Sequence, residues 1–384
     1  MKSYGATASG CAAGVASNKG RVLVEDALGF YALADAVRGH PAGGRAAELT
    51  LERVRARILA DGPGLSGEAA VALLRDIVQD CSQAVHAAGM ASAEARGMCA
   101  TLTLLWIVGG HAHVAHVGHG GLLMARLGRL HRLTREHSVA MELVALGLLE
   151  PARALEHPMA HVLTRAIGMQ EAVLPDTLSI ELAPGDRFIL GDAGLDTAPD
   201  KVVEAMPCAG LARALVGGVL EGGRRDWTNA IVVEVLAEAE SGGDALDKVD
   251  ILQGMFLFRD LDMRELARVL EASRVCFAAA GEVLIREGSQ DYSLFLVLAG
   301  ELEILKREAI LARVGRGGHV GEMALVTGAP RSASVRAAQD SRYLEISREH
   351  WLALLHTAPA TGVKLLSALA AELSNRLAQM NERV

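Results

Sequence analysis

Apolar positions recur with two different periods over the first 237 residues of the chain. Over residues 45–60 and 66–88 they recur every three or four residues, which predicts two amphipathic helices. Strand patterns come next: residues 101–107, residues 111–117 and a hairpin at 122–133 that turns at Gly128. Helices and paired strands in one unit predict a layered α+β domain.

The pattern changes near residue 237, which predicts a domain boundary. Residues 232–236 have the composition of a last buried strand. The next segment, 238–246, combines small residues, acids and a Gly-Gly pair, as linkers do. We therefore predict a first domain at 1–237 and a second at 247–384.

The second domain is predicted to be a small all-β unit between helices. From 276 to 346, short apolar runs are separated by glycines at the spacing of a compact β fold. Helical patterns flank this region at about 247–273 and 347–383.

Composition and charge exclude several functional classes. The chain has 384 residues, 51% of them hydrophobic, and a net charge of -8 argues against a protein held on nucleic acid by phosphate contacts. No apolar run is long enough to span a bilayer, and the N-terminus lacks the apolar core of a signal peptide. The five cysteines form no CxxC pair, so we expect reduced thiols and a cytoplasmic location.

The stretch VGEMALVTGAPRSASV, residues 320–335, has the parts of an anion site. Gly321 allows a tight turn, and Arg331 can bind a phosphate oxygen through charge-assisted hydrogen bonds. Glu322 would repel an anion, so its presence indicates a ligand that also offers a hydroxyl group.

This stretch resembles the phosphate-binding cassette of cyclic nucleotide-binding domains of the catabolite activator type, and the resemblance extends over about residues 247–384. It implies that Arg331 pairs with the cyclic phosphate and that Glu322 accepts from the ribose 2'-hydroxyl. The other pocket residues that it implies are Gly321, Met323, Ala324, Ser332 and Ala333. The resemblance implies cAMP or cGMP as the ligand, and the alternative is a β-roll that keeps the motif but binds nothing.

The last helical pattern carries an apolar stripe, made of Leu366, Leu369, Leu373, Leu377 and Met380. The stripe predicts a homodimer seam or a lid over the nucleotide, and the alternative is a helix packed on its own β-roll. The catabolite activators continue into a helix-turn-helix, which this chain lacks, so we expect no DNA partner and no membrane partner.

Eight segments of the first domain resemble, in order, the metal-dependent serine/threonine phosphatases of type 2C, the PPM family. They are SNKGRVLVEDALG, ALADAVRGHPAGGRAAEL, GMCATLTLLWI, AHVGHGG, LTREHS, HVLTRAIG, APGDRFILGDAGL and WTNAIVVEV. The resemblance implies a four-layer α-β-β-α sandwich, followed in this chain by the β-roll with its flanking helices.

The same resemblance implies a centre of two Mg²⁺ or Mn²⁺ ions that activate a water molecule. Carried over residue by residue, the metal positions are Glu25, Asp26, Asp35 and Ala36, where Ala36 replaces a glycine that offers its carbonyl. His40 matches the general acid, and Arg21 matches the phosphate-binding arginine at a shortened spacing.

Three departures from the family pattern predict that one metal is lost. Ala193 and Thr228 stand where the family has aspartates, and His119 replaces a further acid. Asp192 does not substitute for the first, because neighbouring side chains of a strand point to opposite faces. Asp226 is two residues away from the second, about 6.6–7 Å along a strand, which is too far for a ligand bond.

Two alternatives remain open for this domain. His111, His113, His116 and His119 lie close together in sequence, and imidazoles bind Zn²⁺. An altered or one-metal site would leave an active phosphatase.

The sequence therefore predicts a cyclic nucleotide-responsive signalling protein. Its phosphatase-like domain is expected to be inactive and to bind a protein partner, such as a phosphoprotein or a component of a kinase pathway. The alternative is an active, nucleotide-regulated protein serine/threonine phosphatase.

Overall fold

The structure, a computed structural model, describes residues 2–10, 21–37, 39–191, 208–221, 228–236 and 243–381. By its internal contacts the chain divides into two compact units, Met1–Gly243 and Asp244–Val384. Among the described residues, no helix combines the length and the apolar character that crossing a bilayer requires.

The described elements of the first unit are ten strands and four α-helices. In chain order they are β1 Lys2–Gly10, β2 Arg21–Glu25, β3 Phe30–Ala36, α1 Gly43–Asp61, α2 Gly67–Met90, β4 Ala100–Val108, β5 His111–Val117, β6 Gly121–Arg126, β7 Arg129–Arg132, α3 Val139–Ala145, β8 Asp176–Glu181, β9 Arg187–Gly191, α4 Cys208–Glu221 and β10 Thr228–Leu236. Two short 3-10 helices cover Asp26–Leu28 and Pro151–Glu156.

Two antiparallel sheets form the centre of this unit. One has the order β1-β10-β9-β6-β7, and the other has the order β2-β3-β4-β5-β8. In each sheet, every second residue of a strand contacts the helices that cover one face. Helices α1 and α2 pack on the second sheet around Phe30 and Leu102. Helix α4 packs on the first sheet around Ile189 and Val232. The remaining alternate residues, such as Leu33 and Leu190, are fully buried.

The fold predicted for this unit, an α+β four-layer sandwich, is confirmed. The two helices predicted from the helical period are α1 and α2. Their buried residues are spaced three or four apart, as the period requires. The predicted hairpin forms between β6 and β7, where Leu127 and Gly128 both adopt positive φ, 49° and 77°. The sequence analysis did not predict strand β1, whose composition is small and polar.

The second unit is a β-roll between helices, as predicted. Its elements are α5 Gly243–Gly254, α6 Met263–Glu271, β11 Arg274–Ala278, β12 Val283–Ile285, β13 Leu294–Ala299, β14 Glu301–Lys306, β15 Ala309–Gly315, β16 His319–Val320, α7 Glu322–Thr327, β17 Ser334–Ala337, β18 Ser341–Ile346, α8 Arg348–Thr357 and α9 Pro359–Asn381. Two four-stranded sheets, β11-β18-β13-β16 and β12-β17-β14-β15, enclose an apolar core.

The first half of α9 packs inside this unit. Leu365 and Leu369 are 0% and 4% exposed, whereas Leu366 is 44% exposed. Glu265 of α6, itself buried, accepts hydrogen bonds from Thr361 Oγ1 (3.1 Å) and Lys364 Nζ (2.7 Å). Leu369 of the predicted stripe therefore belongs to the core of the unit, and the side chains of Leu373, Leu377 and Met380 lie outside those described.

Candidate functional site

Asp35 lies on the face of β3 that is turned towards the other sheet. Its neighbours Ala34 and Ala32 pack under the helices, so Asp35, Leu33 and Tyr31 take the opposite face. Its Cα pairs with that of Thr101 on β4, and its Oδ1 accepts from the N–H of Ala36 at 2.9 Å. The carboxylate is half-buried at the end of the strand, where a cation between the sheets would need it.

Glu25 lies at the opposite end of the β2–β3 hairpin and on its other face, which corrects the prediction that it shares a metal centre with Asp35. Glu25 pairs with Phe30, so about 16 Å of strand separates it from Asp35. Phe30 faces the helices, and Glu25 accordingly forms an ion pair with Arg55 of α1 at 2.8 Å. Carboxylates placed in this way cannot bind one ion at 2.0–2.6 Å.

The acid beside Glu25 is also remote from Asp35. Asp26 is exposed in the turn of the hairpin, and its Oδ1 accepts from the hydroxyl of Tyr31 at 2.8 Å. The residue of β2 that pairs nearest to Asp35 is Arg21, which lies opposite Ala34. Neither Arg21 nor Lys19 and Gly20, which precede it in the sequence, has a carboxylate. Arg21 shares the face of Ala34, so it is not turned towards the carboxylate of Asp35.

His40 is held by backbone groups on both sides of its ring. Nδ1 accepts from the N–H of Ala42 at 3.1 Å, so Nε2 carries the proton and donates to the carbonyl of Arg96 at 2.9 Å. This arrangement fixes the loop before α1 and leaves neither nitrogen open as a general acid. Ala36, which precedes this loop, is buried, with its side chain packed close to Gly43.

The positions at which the sequence departs from the family's metal ligands lie mostly outside the described residues. Asp192, Ala193 and Asp226 are among those that the structure does not describe. Thr228 opens β10 opposite Gly10, and the described end of β9 is Gly191, opposite Ala230. Within the described ranges, no three His, Cys, Asp or Glu side chains are grouped so that they would hold a metal. The described residues therefore do not fit the two-metal centre that the fold implies.

The histidines of β5 do not converge on a zinc site, which corrects that alternative. His111 and His113 stack on the helix-facing side, with ring centroids 5.9 Å apart, and His113 Nδ1 lies 2.9 Å from Ser179 Oγ. His116 takes the opposite face, as strand alternation requires, and is fully buried beside Thr103.

A buried polar network continues from His116 to the edge of the sheet. The His116 ring lies 5.1 Å from that of His137, whose Nδ1 accepts from the N–H of Gly118. His137 Nε2 lies 3.4 Å from Asp176 on β8, and Arg165 donates to the same carboxylate at 2.9 Å. Burial lowers the pKa of both histidines; for Asp176 burial acts upward, but His137 and Arg165 hold its pKa well below its usual range.

These buried histidines predict that the free energy of unfolding falls in mild acid. Burial, and secondarily the charge of His111, lowers the pKa of His113 from 6.5 to about 4. The unfolded chain therefore binds the proton between these values while the folded chain does not, so stability is full above pH 6.5 and is lost as pH falls towards 4. Urea unfolding of the full chain from pH 7.5 to 4.5 measures this slope.

The matched variant for this experiment is His113→Gln, which keeps a polar group beside Ser179 but does not titrate. We expect its unfolding free energy to depend less steeply on pH than that of the parent protein. Equal slopes in the two proteins would show that His113 is not the titrating group.

In the second unit, Arg331 is the centre of the predicted cassette and is 5% exposed. Its Nη1 donates to the carbonyl of Gly321 at 3.1 Å, and its Nη2 donates to that of Ser293 at 2.7 Å. Asp291 accepts from Nε at 2.7 Å and also from Nη2. The side chain therefore has one fixed conformation beneath the cassette.

Gly321 is required by this close packing. Its φ is +93°, and a Cβ there would lie 2.6 Å from Arg331 Nη1 and from the carbonyl oxygen of Ser293. The sequence explained this glycine by a tight turn. The structure adds a second reason, because the guanidinium of Arg331 occupies the space that a side chain at position 321 would need.

The other predicted pocket residues surround α7 and the start of β17. Glu322 is half-buried, Met323 is 53% exposed, Ser332 is exposed and Ala333 is half-buried. The side chain of Ala324 lies outside those described.

Two residues that contact the predicted pocket residues were not found from the sequence. Lys306, at the end of β14, donates to the carbonyl of Ser332 and pairs with Glu287 at 2.8 Å, while Asp291 anchors Arg331. Both contacts join residues 26–40 positions apart in the chain, and no local pattern signals such a pair.

A four-layer sandwich with Asp35 at its edge, joined to a β-roll with a buried cassette arginine, defines a phosphatase-like protein with a nucleotide cassette. Residues 250–358 match the family model described as Cyclic nucleotide-binding domain. The cGMP-dependent protein kinase of Toxoplasma gondii is 32% identical over 115 residues, 28% of this chain and 12% of the kinase.

The first unit matches PPM-type serine/threonine phosphatases by sequence and by structure. Protein phosphatase PhpP of Streptococcus pneumoniae is 35% identical over 114 residues, 30% of this chain and 46% of PhpP. PstP of Mycobacterium tuberculosis is 29% identical over 212 residues, 54% of this chain and 40% of PstP. The chain thus spans less than half the length of these curated relatives.

The crystal structure of M. tuberculosis PstP has a TM-score of 0.56 and 26% identity, and the match covers 62% of this chain and 100% of that chain. A structure of the PstP catalytic domain in complex with two manganese ions has a TM-score of 0.54 and 26% identity, covering 62% of this chain and 99% of that one. The protein therefore combines a PPM phosphatase domain with a cyclic nucleotide-binding domain.

Proposed function

We propose that this protein is a cyclic nucleotide-responsive signalling protein. Binding of cAMP or cGMP in the second domain controls a phosphatase-like domain that does not hydrolyse phosphate esters and acts by binding a protein partner. The observation that carries the first half is the fixed, buried guanidinium of Arg331 beneath the cassette.

The cassette supports nucleotide binding because its arginine is already in place. Asp291 and two backbone carbonyls hold the guanidinium, so a cyclic phosphate meets a side chain that loses little further freedom. Glu322, at the start of α7, supplies the acceptor for the ribose 2'-hydroxyl, and Ser332 and Ala333 complete the wall.

The second half rests on the scattered acids of the first domain. Asp35 is at the edge between the sheets, but Glu25 and Asp26 lie at the far end of the hairpin. Ala193 and Thr228 replace two further aspartates of the PPM pattern. Since the described carboxylates of this domain do not converge on a metal, the domain binds its partner without hydrolysing it, and the proposed partner is a phosphoprotein or a component of a kinase pathway.

We further propose a homodimer assembled through the later part of α9. The apolar residues Leu373, Leu377 and Met380 continue the helical spacing of the buried Leu369.

Calorimetry with cAMP and cGMP tests the nucleotide proposal directly. We expect one site per chain for at least one of the two nucleotides, and 5'-AMP and 5'-GMP serve as controls that lack the ring. Absence of heat with both cyclic nucleotides, in a protein with a cooperative unfolding transition, would overturn the proposal.

A further inference from the structure

A cavity of about 390 Å³ lies between α2 and the segment 164–174 of the first domain. Gln79, Thr164 and Arg165 supply its polar wall, and Val173, Met169 and Leu174 supply apolar wall and rim. It is distinct from the edge that holds Asp35, because Arg165 is tied to Asp176 on β8, three strands from β3 and thus about 14 Å away.

Arg165 keeps donors available in this cavity. Its Nη1 donates both to Asp176 Oδ1 (2.9 Å) and to the carbonyl of Leu174 (3.1 Å). Within the described residues, Nε and Nη2 have no partner, and these two atoms form the edge of a guanidinium that binds an oxyanion in bidentate fashion.

Thr164 supplies a further unused donor. Its Oγ1 is shut off from water and has no hydrogen-bond partner among the described residues, a costly state for a hydroxyl. Met169 and Leu174, 40% and 80% exposed, form the rim of the cavity. Thr164 and Arg165 both line the cavity, so this hydroxyl and the guanidinium edge give it three donors, which matches the oxygens of a phosphate better than the two of a carboxylate.

The surroundings favour a protein segment over a small ion. Residues 146–174 expose a group of large apolar side chains, 40–81% exposed: Leu146, Leu148, Leu155, Met159, Val162, Met169 and Leu174. Apolar side chains exposed at this density are typical of surfaces that bind another protein.

We infer that this cavity binds a phosphorylated serine or threonine of a partner protein, with an apolar side chain of the partner on Leu174 and Met169. The inference rests on the proposed function, since it names the place where a non-hydrolysing phosphatase domain holds a phosphoprotein. Asp176 holds Arg165 in position through Nη1, and Arg165 binds the phosphate through Nε and Nη2.

The test measures retention of an oriented peptide library with fixed phosphothreonine and random flanks by the full chain in EDTA, beside the same library with unmodified threonine. We expect retention of the phosphorylated library alone, with apolar residues enriched next to the phosphothreonine. Equal retention of both libraries, or of neither, overturns the inference.

The strongest retained peptide is then labelled for fluorescence anisotropy with matched variants. Leu174→Glu places a negative charge on the rim and is expected to weaken binding at least tenfold. Leu127→Glu, 67% exposed in the turn between β6 and β7 and outside both the cavity and segment 146–174, is expected to change it less than twofold. Thr164→Val is expected to weaken binding several-fold without lowering the unfolding temperature, and equal effects of the two glutamate variants would overturn the assignment of the cavity.

Failure of the proposed function is visible separately. Phosphate release from the same peptide after Mn²⁺ replaces EDTA would show an active phosphatase, whereas the binding measured in EDTA reports on the cavity alone.

Discussion

Replacement of Arg331 by alanine is expected to weaken cyclic nucleotide binding by about tenfold to a hundredfold. A hydrogen bond to a charged group contributes about 1.5–3 kcal/mol, and each 1.4 kcal/mol is about a factor of ten in affinity. Arg331 is the only arginine of the cassette. Its guanidinium is buried, so in the alanine variant a water molecule does not easily replace the hydrogen bonds that the guanidinium makes. Isothermal titration with the nucleotide that binds the parent protein measures the loss.

Arg336 provides the matched control, because it is an arginine five residues further along the chain, on β17, with an ion pair of its own, to Glu303 at 2.8 Å. Arg336→Ala is expected to leave the affinity within about twofold. Since Arg331 also holds Asp291 and two carbonyls, Arg331→Lys is measured beside it, with the unfolding temperature as a check of the fold. Unchanged nucleotide affinity in both Arg331 variants would remove the pocket assignment.

The second large effect is an absence of turnover in the unmodified protein. With Mn²⁺ or Mg²⁺ in excess, hydrolysis of an aryl phosphate or a phosphopeptide is expected to stay at background, with or without cyclic nucleotide. Phosphate-ester hydrolysis in this fold requires a water activated by cations, and the described carboxylates do not converge on any.

Two substitutions decide what any observed activity means. If turnover appears, is lost in Asp35→Asn and persists in Glu25→Gln, the edge between the sheets is an active centre and the proposal of an inactive domain is wrong. Turnover that survives both changes comes from elsewhere. Restoring acids in Ala193→Asp plus Thr228→Asp is expected to leave the domain silent, because Glu25 and Asp26 lie at the far end of the hairpin from Asp35.

The layered α+β character of the first domain was predictable from periodicity, whereas the four-layer sandwich was implied by the resemblance to the PPM family. The helices α1 and α2 each bury one face, and their apolar residues recur every three or four positions accordingly. Strands β4 and β5 are buried on both faces over nearly their whole length, and in the sequence they were visible as short strand-like runs joined through Gly109-Gly110. The cassette was predictable for a different reason: Gly321, Glu322 and Arg331 lie within eleven consecutive residues, so the motif is visible without knowledge of the fold.

The metal positions could not be predicted in the same way, because a carboxylate site depends on register. Glu25-Asp26 has the composition of a ligand pair, but its place in space is set by the pairing of Arg21 with Ala34 and by the turn at Asp26–Leu28. That register moves the pair away from Asp35 by the full length of the hairpin. The same limit applies to Asp291, whose contact with Arg331 spans 40 residues.

The position of Glu265 determines how the assembly of this protein can be studied by truncation. This carboxylate is 5% exposed and accepts from Asp262 N, Thr361 Oγ1 and Lys364 Nζ, so α6 and the first turns of α9 share one charge. A chain cut at residue 362 would remove Lys364, the ion-pair partner of the buried Glu265 carboxylate, together with the buried Leu365 and Leu369, so a changed mass in solution would report damage to the fold. A chain cut after Ala370 keeps the anchor and removes only the distal turns. Helix α9 is thus required for the fold of the second unit up to Leu369, and truncation beyond Ala370 tests assembly without removing those contacts.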